Sequence, residues 1–153
     1  MKIGIVFGTF DLLHAGHAMY LLKCGEQCDK LIVGLHTDPT VERSFKNKPV
    51  QSAFERWQQL SAVKKVEWII PYDTEKDLLN ILSSHTSIGT YFLGADYIGK
   101  SLPQEVIDIC KKRNIEIAYI DRDHDFSSTE LRSRIQNEKS KNPSHQDHSH
   151  GFS

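Results

Sequence analysis

Five short apolar runs rich in β-branched residues recur along the chain: KIGIVF at 2–7, KLIVGL at 30–35, VEWII at 66–70, TYFLG at 90–94 and IEIAYI at 115–120. Each has the length of a strand, and each is apolar at successive rather than alternate positions, the pattern of a strand buried on both faces. The intervening segments, roughly 17–28, 52–64, 75–85, 103–113 and 128–138, have helical length; Pro103 lies near one helix start, and Ser127 or Ser128 is a candidate N-cap for the last. Strand and helix alternating throughout predict an α/β fold: a Rossmann-like, doubly wound, parallel five-stranded sheet with right-handed crossovers and helices on both faces. Ligands bind such sheets beyond the carboxyl ends of the strands, where the strand order reverses, so chemistry is expected in loops that follow strands.

The 153 residues suit a single domain able to bury a core without cross-links, assigned here to 1–138. Residues 139–153 are polar, contain a proline and hold few core-forming side chains, so a disordered tail is expected there. His145, His148 and His150 offer metal ligands in that tail, set against the entropy of ordering an unstructured tract. Cys24, Cys28 and Cys110 are an odd number without CxxC spacing and read as free, buried thiols. A net charge of -1 supplies no basic face for nucleic acid but leaves room for a small anionic ligand. No apolar run approaches the roughly 20 residues of a membrane span, and MKIGIVFG has no signal-peptide pattern, so a cytoplasmic protein without membrane insertion is expected.

The segment GTFDLLHAGH, Gly8 to His17, follows the first run directly. Gly8 lets backbone approach a ligand closely, and the helix beginning near Ala15 aims its amides and positive dipole end at the same crevice, a seat for phosphate. His14 and His17, one turn apart, face the same way and are able to donate to phosphate oxygens. On spacing alone, a structural pair or two metal ligands serve equally well.

GTFDLLHAGH resembles the HxGH signature of the nucleotidyltransferase superfamily, in the GTFDxxHxGH form of the cytidylyltransferase family. The resemblance extends over roughly residues 2–136. It implies nucleotide contacts from Gly8, Thr9, Phe10, Asp11 and Gly16, with His14 and His17 as catalytic imidazoles. In KNKPVQSAFERWQQLSAVKKVEWIIP, Lys46 matches the phosphate-engaging lysine, Lys48 a second one, and Arg56 the helix arginine that helps hold the acceptor phosphate. A loop lysine acts as a mobile point charge and a helix-borne guanidinium as a fixed fork, which suits those roles. GADYIGK at 94–100 is similar to a family loop in which Asp96 shapes the base end of the site and Tyr97 offers a ring for stacking. DRDHDFSSTELRSRI matches a triphosphate-binding region at Arg122, Ser127, Ser128 and Thr129, but Asp123 and Asp125 replace the usual threonine and glycine, and Glu67 replaces a common aspartate. The two added carboxylates lie beside a site meant for a polyanion, which leaves three readings open: Arg122 offsets them, they bind magnesium, or they weaken nucleotide binding.

The resemblance implies attack by a phosphomonoester oxygen on the α-phosphate of a nucleoside triphosphate, with loss of pyrophosphate and no protein nucleophile. It implies CTP as donor and a small phosphorylated alcohol, glycerol 3-phosphate first, as acceptor. It also implies magnesium with the triphosphate, touching Asp11 through water, no metal held by a protein ligand set, and a homodimer. Two alternatives stand beside it: an adenylyltransferase using ATP, and a nucleotide-binding homologue without turnover.

Overall fold

The computed structural model describes residues 1–141; the three tail histidines and most of the expected tail lie outside them. Five strands, β1 (Ile3–Gly8), β2 (Lys30–His36), β3 (Val66–Tyr72), β4 (Ile88–Gly94) and β5 (Glu116–Ile120), form one parallel sheet in the order β3-β2-β1-β4-β5. Helices α1 (Ala15–Glu26), α2 (Ala53–Ser61), α3 (Glu75–Ser84), α4 (Gln104–Arg113) and α5 (Ser128–Lys141) alternate with them. This is the expected Rossmann-like α/β domain. The chain first winds outward from β1 to β2 and β3, then returns to add β4 on the other side of β1, so the order reverses between β1 and β4.

Two cores form because the central strands are apolar on both faces. Ile3, Ile5, Ile32 and Leu93 pack with Ile81 and Leu82 of α3 and Val106 and Cys110 of α4. Val6, Leu31, Val33, Leu35 and Phe92 pack with Leu21 and Cys24 of α1 and Leu60 of α2. Cys24 and Cys110 are buried and Cys28 is half-buried, all as free thiols. Pro71 sits within β3, where it is tolerated because β3 is an edge strand paired only with β2.

Local caps set the helix bounds. Ser52 with Glu55 and Thr74 with Asp77 make capping boxes at α2 and α3. Asn114 ends α4 in the left-handed conformation (φ 55°) common after a helix. Helix α1 runs two residues earlier than its apolar pattern predicts at both ends. Its start is fixed by a histidine cap described below, and beyond its end Asp29 donates to the Lys2 carbonyl (2.7 Å) as β2 begins. Helix α5 continues to Lys141, past the domain limit expected at 138. No helix among the described residues is long and apolar enough to cross a membrane.

Candidate active site

Beyond Gly8 the chain turns sharply, with Phe10 and Leu12 in the left-handed region at φ 51° and 52°. For residues with side chains such a conformation costs on the order of 1–3 kcal/mol and survives only where the surroundings over-determine it. They do so here. The Asp11 carboxylate accepts from the amides of Val50 (2.8 Å) and Gln51 (2.9 Å) and pairs with Arg132 of α5 (3.2 Å). The Leu12 amide donates to Gln51 Oε1 (2.8 Å), and Ser128 Oγ donates to the Asp11 carbonyl (3.1 Å).

Arg56 completes this clamp, which corrects its expected role as a holder of the acceptor phosphate. Only 1% exposed, it donates from Nε to the carbonyls of Gln51 and Ser52, from Nη1 to Thr9 (3.0 Å) and His36 (2.6 Å), and from Nη2 to Thr37 (2.5 Å). The carbonyls at the ends of β1 and β2 have left the sheet ladder and need donors, and the guanidinium fork supplies them. Arg56 lines neither crevice of the site.

The turn delivers His14 to the N-cap of α1. His14 Nδ1 accepts from the Gly16 amide (3.0 Å), while His17 Nδ1 accepts from the His14 amide (3.2 Å), a capping box built from two imidazoles. An acceptor nitrogen carries no proton, so in both rings the proton resides on Nε2. The rings stack at 3.9 Å with a 27° tilt. Burial pushes His17 down to about 4, with the neighbouring His14 charge adding to the effect. Burial also lowers His14, followed by the charges of His124 and Arg122. Two neutral Nε2–H donors are thus held at the start of α1.

Two crevices meet at this point. The first, about 390 Å3, is walled by Gly8, Thr9, Phe10, His14, Gly16, His17, Asp96, Tyr97, Arg122, Ser127 and Ser128. The second, about 550 Å3, shares Gly8, Thr9, Phe10, His17 and Ser128 and adds Asp11, His36, Arg43, Lys46, Tyr72, Tyr91 and Arg132. The structure therefore gathers most of the expected residues. Lys48 and Thr129 are exposed and line neither crevice. Arg122 Nη1 pairs with Asp96 (3.3 Å) across the first crevice, and its Nε and Nη2 hold the carbonyls of His124 and Phe126. Ser127 caps α5 by accepting from the Glu130 amide (3.0 Å).

Asp123 and Asp125 do not line either crevice. Asp123 is bound to Lys23 of α1 (2.9 Å), so its carboxylate is neutralised beside the site rather than inside it. Glu67 pairs with Lys30 (3.8 Å) at the sheet edge, as Trp68 lies under the same ammonium. Among the described residues no three His, Cys, Asp or Glu side chains gather to hold a metal. The oxygens of Asp11, the expected outer partner of magnesium, accept from two amides and pair with Arg132.

Lys23, Arg43, His124 and Arg132 also line the crevices, and sequence reading passed over all four. Arg132 lies one helical turn beyond Ser128, a signal that periodicity offered. Lys23, Arg43 and His124 carried no comparable spacing.

A parallel sheet whose order reverses beside a HAGH helix start defines an HxGH nucleotidyltransferase domain. The chain belongs to the cytidylyltransferase-like family, whose model matches residues 5–134. It is 32% identical over 140 residues to the bifunctional protein HldE of Rhodopseudomonas palustris strain BisA53, covering 91% of this chain and 28% of that protein. The HldE protein of Caulobacter sp. strain K31 is 37% identical over 98 residues, 63% of this chain and 20% of its own length. The chain thus spans between a fifth and a third of these relatives. Among solved structures, a lipopolysaccharide core biosynthesis protein from Thermoplasma volcanium GSS1 superposes with a TM-score of 0.67 at 25% identity, over 82% of this chain and 99% of that one. TmcAL from Thermotoga maritima, solved with alpha-thio ATP, shares the fold at 12% identity (TM-score 0.62, 91% of this chain and 51% of that one).

Two outcomes follow from the clamp and the capped imidazoles. Arg56→Met should lower stability in urea unfolding by about 3 kcal/mol or more, since several buried carbonyls lose their donor, and Arg56→Lys should recover only part of that. A loss under about 1 kcal/mol in the Met variant would remove the clamp from the account. His17 titrates near 6.5 in the unfolded chain and near 4 in the fold, so the unfolded state takes up the proton first as pH falls. Its contribution is whole above about 6.5 and is lost between about 6.5 and 4. His17→Gln should flatten the fall in the urea midpoint across that window, and an unchanged slope would show that His17 does not titrate there.

Proposed function

We propose that this chain is a nucleotidyltransferase enzyme that joins a nucleoside monophosphoryl group to a small phosphomonoester. The observation that carries this reading is the histidine pair whose Nδ1 atoms make the capping box of α1 and whose Nε2–H groups have no partner among the described residues, both rings lining the first crevice and His17 the second as well. In the first crevice a nucleoside triphosphate lies with its α-phosphate against the Gly8–Phe10 turn and the amides of α1. In the second crevice the acceptor phosphate sits between Lys46, Arg43 and Arg132.

An acceptor oxygen forms the new bond to the α-phosphorus as the bond from that phosphorus to the bridging oxygen breaks, and pyrophosphate leaves with those electrons. The protein supplies alignment and neutralisation rather than a nucleophile. His14 and His17 donate to α-phosphate oxygens as their charge grows, while Arg122 and the start of α5 at Ser127 and Ser128 receive the departing phosphates. Magnesium enters this proposal only as the triphosphate's own counter-ion.

CTP and glycerol 3-phosphate form the first substrate pair, supported by the GTFDLLHAGH signature and the family match. A phosphorylated sugar, with ATP or CTP as donor, is the second reading. Two observations favour it: the roomier acceptor crevice of about 550 Å3, and likeness across 99% of its length to a lipopolysaccharide core biosynthesis protein.

The test is pyrophosphate release with magnesium and CTP or ATP, in separate reactions, against glycerol 3-phosphate and a set of sugar phosphates. One pair should turn over, and His17→Ala should lower that rate by about 100-fold or more while changing nucleotide affinity far less. No release with any pair, together with measurable nucleotide binding, would make the chain a binding homologue without turnover.

A further inference from the structure

Three imidazoles, not two, border the first crevice. His124, on the loop between β5 and α5, lines it together with His14 and His17. A side chain added at Gly16 would place its Cβ 2.7 Å from His124 Cε1 and 2.8 Å from His14 Cε1, so both rings flank one point on the first turn of α1. His124 Nδ1 accepts from the Phe126 amide at 3.1 Å. That is the device that fixes His14 and His17: a backbone amide occupies Nδ1 and leaves the proton on Nε2.

The loop that carries the ring is held on both sides. Arg122 binds the carbonyls of His124 and Phe126, Asp123 is tied to Lys23 of α1, and the His124 ring stacks on Phe126 at 5.6 Å. Holding the Phe126 amide needs only a short acceptor, which an asparagine supplies equally well. What an imidazole adds is a second nitrogen further from the backbone, and that nitrogen has no hydrogen-bond partner among the described residues.

We propose that His124 is a third phosphate-binding imidazole, donating Nε2–H to the pyrophosphate end of the nucleoside triphosphate beside Arg122 and the start of α5. The inference rests on the nucleotidyl-transfer reading and adds to it a residue that neither the family resemblance nor its spacing singles out. His14 and His17 serve the α-phosphate, and His124 serves the part that leaves.

Asparagine and glutamine separate the two nitrogens of histidine, since Asn can mimic Nδ1 and Gln reaches the position of Nε2. Full-length parent, His124→Ala, His124→Asn and His124→Gln are titrated with CTP and ATP and with CMP and AMP, each with magnesium, and thermal unfolding of each variant checks that it folds. The Ala and Asn variants should bind the preferred triphosphate about tenfold more weakly, and Gln should stay within about threefold of the parent. Monophosphate affinity should not change in any of them. Parent-like triphosphate binding by His124→Asn, or equal weakening for triphosphate and monophosphate, would reduce His124 to a loop support and overturn the proposal while nucleotidyl transfer stands. A parent that binds neither triphosphate would overturn the nucleotidyl-transfer reading, and this inference with it.

Discussion

The left-handed bend at Phe10 and Leu12 is the constraint from which the rest of the site follows. It turns the chain from the end of β1 into the start of α1 within a few residues, and so brings His14 to a helix cap. Neither residue favours that backbone, so the bend exists only because Gln51, Arg56, Ser128 and Arg132, from three separate parts of the chain, grip it and the Asp11 within it. The site is thereby coupled to the fold as a whole: the loop before α2, α2 itself and the start of α5 must all be in place before the histidines can point correctly. A loop held in this way takes its shape from the fold itself, which is what the proposed transfer between two anions requires for alignment.

The helix start then puts each imidazole to two uses. A serine at the cap satisfies an orphan amide and nothing more. A histidine does so through Nδ1 and still presents a donor at Nε2. Burial depresses the titration of His17 first and the charge of His14, stacked at 3.9 Å, depresses it further, so the packing that builds the cap also keeps the ring neutral. Neutral imidazoles donate a hydrogen bond without a proton that the phosphates would strip away, and the helix amides beside them supply positive potential.

The strands and helices were legible because apolar runs and helix-length segments alternate along the chain, whereas the Ser52 and Thr74 caps that fix two helix starts emerged only from the structure. The strand order was not, since periodicity carries no information on which side of β1 the chain returns. Arg56 shows where residue-level reading fails. Its rigid fork was recognisable, but its acceptors are carbonyls 47, 20 and 19 residues away, and only the folded backbone reveals that they need donors. Asp123 was read as an intruder among phosphates because Lys23, a hundred positions earlier, gave no sign of being its partner. His124 lacked any helical spacing to His14, although the sheet reversal brings the loops after β1 and β5 to one crevice.

The pairing of charges around the crevices resolves how a chain of net charge -1 can offer a seat to a polyanion. Three cations there each have an aspartate: Arg132 with Asp11, Arg122 with Asp96, Lys23 with Asp123. These pairs are not equivalent. The Asp11 side chain is 10% exposed and bound by two further amides, so separating it would leave a buried charge and undo the bend. Asp96 and Asp123 are about 60% exposed, and ion pairs in that setting contribute about 0–1 kcal/mol, so an incoming phosphate can replace either carboxylate at little cost. The buried pair therefore belongs to the scaffold. The two exposed pairs hold Arg122 and Lys23 beside the first crevice, where both cations remain open to exchange partners.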